Sequence, residues 1–413
     1  MMNNEESDLE HLVSSSETFS SYPELRAHLD SHQQVHAILR SSTPLFTSTH
    51  TNEDAAHQAY QSFRKSILDL PVTELPVVVT AIQVCIEKCK ALPLVAALRL
   101  RLLQDVCQES GIFPEMYWIR GVHLQRRIAW GSDTIIYKGD YQKQTVAVRV
   151  CQHSHKQSED EQHQQLKLFR REIITHWQLH HPNLVDIIGI SKSTDTFSSD
   201  EFLDAVGVLV PLPNMVLRYA EHGSAADYLR SDLGSWYFLH VVKGVADGLE
   251  YLHSRFPPIV HGDLHDHNVV VTGSGDALIC DFGRSRIHHI TPRTNTQFSG
   301  DARLRFAAPE LTSGDQVLGN EASDIYSLAM TIYSLGVGKP PLDNVLGNQR
   351  AVRQMEKGER PRRENDAETF RRLDNATSSK VWLLLEQMWV HESQDRPSAS
   401  TVCGILAKID PES

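Results

Sequence analysis

The sequence predicts an α+β fold of two lobes, a small β-rich lobe followed by a large, mainly helical one, after a short helical region and a polar N-terminal arm. Two observations predict it. Strand-like alternation is concentrated early, over 124–139 and 144–151, whereas after Gly223 helical periodicity dominates. Strands first and helices later is the order of an α+β architecture. The 413 residues, 40% of them hydrophobic, are enough for one large domain and an appendage.

The arm, 1–54, is rich in Ser, Thr, Asn and His and is expected to be disordered, apart from spaced apolar residues over 23–39 that suit a short helix. From Ala55 to Glu109 the pattern is helical. Leu94, Leu98, Leu102 and Val106 recur at helical spacing, and Pro71, Pro76 and Pro93 stand near helix starts, where a missing amide is tolerated. Ser110-Gly111-Ile112-Phe113-Pro114 then ends the run. Residues 55–122 are therefore expected to be a helical appendage, either packed on its neighbour or serving as a partner-binding module. Beyond 123, strands are expected over 124–139, 144–151, 184–190, 215–219, 269–271 and 278–280, with a helix over 162–180. The acidic residues of 158–161 read as a solvated loop before that helix. The Ser/Asp-rich stretch 192–204 reads as a surface insertion.

Composition excludes several classes. A net charge of −12 argues against a general nucleic-acid binder. No window reaches the ~18 apolar residues of a membrane span; the best, 75–86, is interrupted by Pro76, Thr80 and Gln83. The acidic, polar start is unlike a secretory signal. Cys85, Cys89, Cys107, Cys151, Cys280 and Cys403 form no CxxC pair, so a reduced, intracellular (cytoplasmic) protein is expected. Cys85 and Cys89 lie one helical turn apart without further ligands, and read as buried helix residues. The 22 histidines read as composition and not as a zinc site.

Phosphoryl transfer needs positioned phosphates, metal ions to absorb charge and an acceptor for the hydroxyl proton. Such parts occur in order. His261-Gly262-Asp263-Leu264-His265-Asp266-His267-Asn268 places an Asp and an Asn five apart after a long helical stretch. Thirteen residues beyond Asn268 comes Asp281-Phe282-Gly283, and Ala308-Pro309-Glu310 closes the segment that follows. Asn and Asp oxygens suit Mg²⁺. Each fragment alone is weak; the ordered set is specific.

On these motifs, residues 123–408 resemble a protein kinase. The branch they look most like is the tyrosine kinase-like one, and within it kinases abundant in mushroom-forming fungi, through the 110–122 lead-in, the HGDL loop and the tail Met388-Trp389…Asp395-Arg396-Pro397. The resemblance implies ATP and Mg²⁺ as cofactors and a protein substrate or signalling partner. It implies Asp263 as catalytic base, Asn268 and Asp281 as metal ligands, and Glu172 as the helix glutamate that pairs with the third strand. Ile136, Ala147 and Val270 would contact adenine. Leu217 would be the gatekeeper, with Arg218, Tyr219 and Ala220 as hinge. Asp324 would brace the catalytic loop through backbone amides, and Arg396 would pair with Glu310.

The departures are equally specific. Arg149 stands where the family has Lys, and a planar fork cannot simply replace a compact ammonium between phosphates. Of the glycine-rich loop only Gly131 remains, with Ala129 and Thr134 at the other two positions, where side chains hinder backbone approach to phosphate. His265 replaces the catalytic-loop Lys at the transferred phosphate and is mostly uncharged at neutral pH. Arg303 stands where Ser/Thr kinases have Thr. Gly262 replaces the Arg that pairs with an activation-segment phosphate, so phosphorylation of Ser285, Thr291, Thr294, Thr296 or Ser299 is not expected to switch activity on. Two functions remain open. One is a protein kinase of Ser/Thr type with a weakened phosphate grip. The other is a pseudokinase that binds nucleotide or partners without significant catalysis.

Overall fold

The structure, a computed structural model, describes residues 53–88, 93–130, 134–151, 158–192, 213–231, 237–287, 302–312, 318–363, 370 and 373–409. The expectations for the N-terminal arm, for Gly131, Cys89, Thr291, Thr294, Thr296 and Ser299, and for nearly all of the 192–204 insertion lie outside these residues, as does the side chain of Cys85. Contacts divide the chain into two compact units, one of residues 1–175 with 188–216 and one of 176–187 with 217–413.

Among the described residues the first unit opens with three helices, α1 (Glu53–Leu68), α2 (Leu75–Lys88) and α3 (Pro93–Ser110). Pro76 falls in the first turn of α2 and Pro93 opens α3, where no intrahelical donor is lost. Tyr60, Phe63 and Ile67 of α1 bury one stripe, as do Leu102, Leu103 and Val106 of α3. The Tyr60 hydroxyl donates to Asp105 (2.5 Å), which also pairs with Arg64 (3.2 Å).

A five-stranded sheet follows in the order β1-β2-β3-β5-β4, from β1 (His123–Trp130), β2 (Thr134–Tyr141), β3 (Gln144–Cys151), β4 (Ile187–Ser191) and β5 (Asn214–Arg218). The run expected over 124–139 is thus two strands that pair antiparallel, Ala129 opposite Ile136 and Trp130 opposite Ile135. Gln142 and Lys143 (φ +49° and +67°) make the β2–β3 turn, the two-residue geometry that suits right-twisted strands. Alternation along β3 buries Val146, Val148 and Val150 against Val122 and Val216. It leaves Ala147 and Arg149 half-buried on the opposite face, with Ile136 directly across from Arg149.

Helix α4 (Glu159–Trp177) starts and stops three residues before the expected bounds. Its start explains residues 158–161, which are not a solvated loop. The Ser158 hydroxyl accepts from the Glu161 amide (3.3 Å) and the Glu161 carboxylate accepts from the Ser158 amide (2.8 Å). This reciprocal capping box satisfies two orphan donors. Those hydrogen bonds hold the exposed Glu161 carboxyl below its ordinary value.

The second unit is mainly helical. It contains β6 (Gly223–Ser224), α5 (Ala225–Arg230), α6 (Phe238–Ser254), β7 (Ile259–Val260), β8 (Val269–Val271), β9 (Ala277–Ile279) and β10 (Arg286–Ile287). Then come α7 (Pro309–Thr312), α8 (Glu321–Val337), α9 (Asn348–Glu356), α10 (Asn375–Met388) and α11 (Ala399–Ile409). Strands β6, β8 and β9 form one small sheet and β7 pairs with β10. Helix α8 is the core element: Ser323 through Leu335 are all buried. An Asn320–Ser323 capping box starts it and Gly338, in the left-handed conformation, ends it. Arg396 and Glu310 form the expected bidentate pair (2.6 and 2.9 Å), with the Arg396 side chain fully buried. No helix among the described residues is long and apolar enough to cross a membrane.

Candidate active site

The second unit carries the densest set of expected site residues on the loop between β7 and β8. This loop is built from its backbone outwards. Asp324, buried in the first turn of α8, accepts from the His261 amide (2.7 Å) and the Gly262 amide (2.9 Å), and contacts His253 Nε2 (3.0 Å). A carboxylate that takes two amides of one loop fixes its path, the bracing expected from sequence. Gly262 takes φ +74°, and a Cβ there would lie 3.0 Å from the Arg284 carbonyl oxygen. The loop therefore needs glycine for backbone reasons, whatever charge is lost by omitting Arg.

The loop then turns through a short 3-10 segment, Asp266–Asn268. His265 Nδ1 accepts from the His267 amide (3.3 Å), so this ring caps the turn. The ring also lies against Phe306 (centroids 5.9 Å apart). Asp266 accepts from the Ser334 hydroxyl (2.6 Å). Burial pushes its carboxyl up, yet His265 and Ser334, with the charges of His267 and His265, outweigh burial and hold it below the ordinary carboxylate range. Asn268 Nδ2 donates to the Asp263 carbonyl (2.8 Å).

The β8–β9 hairpin brings the second acidic motif to the same end. Val269 pairs with Ile279, and one step further the Cys280 amide donates to the Asn268 carbonyl (2.9 Å). Asp281 follows at once, at φ +64°, with its Oδ1 accepting from the Gly283 amide (3.3 Å). Phe282 is buried between two histidines, His176 (4.6 Å between centroids) and His261 (5.4 Å). His261 Nε2 contacts the Cys280 carbonyl (3.2 Å) while its Nδ1 accepts from the Asp263 amide (3.3 Å). One ring thus ties both motif loops together.

Because Asn268 spends its Nδ2 on the Asp263 carbonyl, its Oδ1 is the atom left for a cation. With the Asp281 carboxylate this makes two hard oxygen donors. Mg²⁺ usually takes one or two protein oxygens and completes its shell with water and phosphate, so these residues fit it. The described residues contain no cluster of three or more His, Cys, Asp and Glu that would form a closed metal cage.

Asp263 is mostly buried, and its Oδ2 faces two cations: Arg303 Nη1 at 3.2 Å and Arg284 Nε at 3.5 Å. In the sequence Arg303 is marked only by standing where Ser/Thr kinases have Thr, and Arg284 only by its place directly after Asp281-Phe282-Gly283. Arg305 is instead structural. Its guanidinium donates to the carbonyls of Pro341, Leu342 and Val345 and to Asn348. Ser285, the first of the hydroxyls considered above for phosphorylation, is buried and donates to the His261 carbonyl (3.2 Å), so it is not an accessible phosphate acceptor.

In the first unit, Arg149 Nη1 donates to Glu172 Oε1 in a tight ion pair, and the guanidinium lies 6.0 Å from the Phe169 ring. Strand parity puts Ile136, Ala147 and Arg149 on one half-buried face. In the second unit, Val270 is half-exposed between fully buried Val269 and Val271. Leu217 is buried and the Arg218 amide donates to the Asp186 carbonyl (2.9 Å). Tyr219, next along, is half-buried.

A family model described as a protein kinase domain matches residues 123–405. The chain belongs to the protein kinase domain family. The chain is 26% identical over 296 residues to the Serine/threonine-protein kinase CTR1 of Arabidopsis thaliana, covering 70% of this chain and 31% of that protein. It is 27% identical over 295 residues to the Serine/threonine-protein kinase STY46 of the same plant (70% and 45%). It is also 27% identical over 278 residues to the Tyrosine-protein kinase Shark of Drosophila melanogaster (66% and 26%). The matched stretches span less than half the length of these relatives.

Proposed function

We propose that this kinase domain binds Mg-ATP and transfers its terminal phosphoryl group to Ser/Thr hydroxyls of protein substrates, with a weakened hold on the phosphates. The observation that carries this reading is the braced loop: Asp324 holds the His261 and Gly262 amides, and Asn268 holds the Asp263 carbonyl. A loop tied this closely presents the Asp263 carboxylate in one geometry, as proton transfer from a hydroxyl requires. In this reading Asp263 takes the substrate proton and Asn268 and Asp281 hold Mg²⁺, which when bound neutralises phosphate charge. Gly131, Ile136, Ala147, Leu217, Tyr219 and Val270 are assigned to the nucleotide by resemblance, and Arg149, oriented by Glu172, to its phosphates. His265 takes the place of the catalytic-loop lysine, with its Nδ1 engaged by the His267 amide. The names of the relatives CTR1 and STY46 support Ser/Thr over Tyr specificity, and the HGDL loop supports the tyrosine kinase-like branch and the fungal kinases within it. The scattered cysteines, which form no CxxC pair, support a reduced, cytoplasmic setting.

A second reading, a pseudokinase, is favoured by the two guanidiniums that face Asp263 Oδ2. One experiment separates the two. The full chain is incubated with Mg-ATP and a mixed protein substrate, beside Asp263→Asn. Phosphate incorporation that falls at least about a hundredfold in the variant is expected. Incorporation no higher than in the variant, with a melting temperature still raised by Mg-ATP, would give the pseudokinase reading.

A further inference from the structure

We infer that residues 53–110 are a resident holder for α4, which keeps Glu172 engaged with Arg149 without a separate partner or a phosphate. The first unit supplies the contacts. Gln104 Nε2 of α3 donates to the Thr175 hydroxyl (2.8 Å), both side chains being buried. Gln108 Nε2 donates to the Lys167 carbonyl (3.1 Å), and Arg170 Nη1 returns a bond to the Gln108 carbonyl (2.8 Å). Lys167 pairs with Glu109 (3.1 Å). These anchors reach α4 at positions 167, 170 and 175.

At about 100° per residue, those three positions span one face of the helix, and Phe169 and Glu172 fall on the opposite face. α4 is therefore held from behind while its front presents the carboxylate to Arg149. The end of α3 is shaped for this. The Gly111 amide closes on the Cys107 carbonyl (2.9 Å), with Gly111 at φ +72°, and a Cβ there would lie 2.6 Å from Arg170 Nη2. Any side chain at 111 would both strain the turn and displace the guanidinium.

The holder is itself fixed to the sheet. The Glu115 amide donates to the Thr80 hydroxyl (3.0 Å) and the Tyr117 hydroxyl to Gln83 (2.7 Å), which ties the chain after α3 back to α2. Two residues on, the Ile119 amide donates to the Ile190 carbonyl of β4 (2.9 Å). The segment that leaves α3 is thus tied both to α2 and to the sheet. Arg170 and Gln104 are positioning residues: they touch no reacting group and act through the orientation of Glu172.

The functional consequence rests on the nucleotide role proposed for Arg149 and Glu172, so the test has two arms. The first is backbone hydrogen exchange on the full chain, which needs no nucleotide. Arg170→Ala and Gln104→Ala are each expected to speed exchange across 159–175 about tenfold, with α6 and α8 unchanged. Gln108→Ala serves as a milder variant should either fail to fold, and Arg170→Lys should restore part of the protection. Unchanged protection of 159–175 in folded variants would overturn the inference. The second arm measures Mg-ATP affinity. Arg170→Ala should weaken it severalfold in the parent but not in a Glu172→Gln background, because the two changes act through one contact. Fully additive losses would overturn the proposed route through Glu172. A chain that binds no nucleotide would sink the kinase reading, and the exchange arm alone would then decide whether the holder exists.

Discussion

In the proposed phosphoryl transfer, turnover depends most on the charge around Asp263. The catalytic loop has no lysine at position 265, and the ring there is spent on capping His267 and packing on Phe306. Arg303 and Arg284 bring positive charge to the same carboxylate oxygen from the segment that follows Asp281. In the proposed reaction, a guanidinium beside Asp263 would offset the negative charge that gathers during phosphoryl transfer. Arg303→Ala is therefore expected to lower the rate of phosphate incorporation about tenfold or more while leaving Mg-ATP binding nearly unchanged, read by steady-state kinetics and a melting shift. A faster variant would show that Arg303 locks the base, in line with the pseudokinase reading. This contact was not legible in the sequence. Motif spacing singled out Asp263, Asn268 and Asp281 as candidates, because those residues lie on short loops of fixed length. An arginine forty residues from its partner carries no such spacing signal.

At the scale of elements, the loop and α4 show how local backbone needs decide residue choice. From sequence, Gly262 is a lost arginine. In the fold it is the residue that lets the loop turn at φ +74° beneath the Arg284 carbonyl while its own amide and that of His261 reach Asp324. Gly262→Ala should cost about 1–2 kcal/mol through left-handed strain alone, read by urea unfolding. An alanine variant as stable as the parent would mean that the loop relaxes to another path. The strands β3 and β8 and the helix start at Pro93 were legible, because alternation and proline placement act locally. The β1–β2 division within 124–139 was not, since both strands alternate with the same period. The capping role of Ser158 and Glu161 was available as a Ser-x-x-Glu pattern but was masked by the acidity of the segment. The seating of α3 on α4 depends on side chains about sixty residues apart in sequence, such as Gln108 and Lys167, and no periodicity reports such a contact.

At the scale of the whole molecule, each unit carries its own interior, and polar groups buried in the second unit make its stability depend on pH. Its α8 core holds Asp266 through Ser334, behind the catalytic loop. Burial alone would raise this carboxyl, but His265, Ser334 and the nearby His267 charge hold it below its ordinary value. The sign follows from linkage. A carboxyl whose folded pKa lies below its unfolded value, about 4, adds stability at higher pH; that stability is lost as pH falls through the folded pKa. Ser334→Ala removes one of the groups that depress it. The variant is expected to be less stable than the parent at pH 7, with the deficit narrowing as pH falls below about 4, where the parent loses the same contribution. Thermal melts of parent and variant at pH 7, 5 and 3 measure this, with Asp266→Asn as a reference whose own deficit should follow the same course. A Ser334→Ala deficit that stayed constant to pH 3 would assign it to lost packing in α8 and not to the Asp266 charge. Because Asp266 opens the turn that ends at Asn268, the acid limb of any activity profile should fall together with this unfolding step.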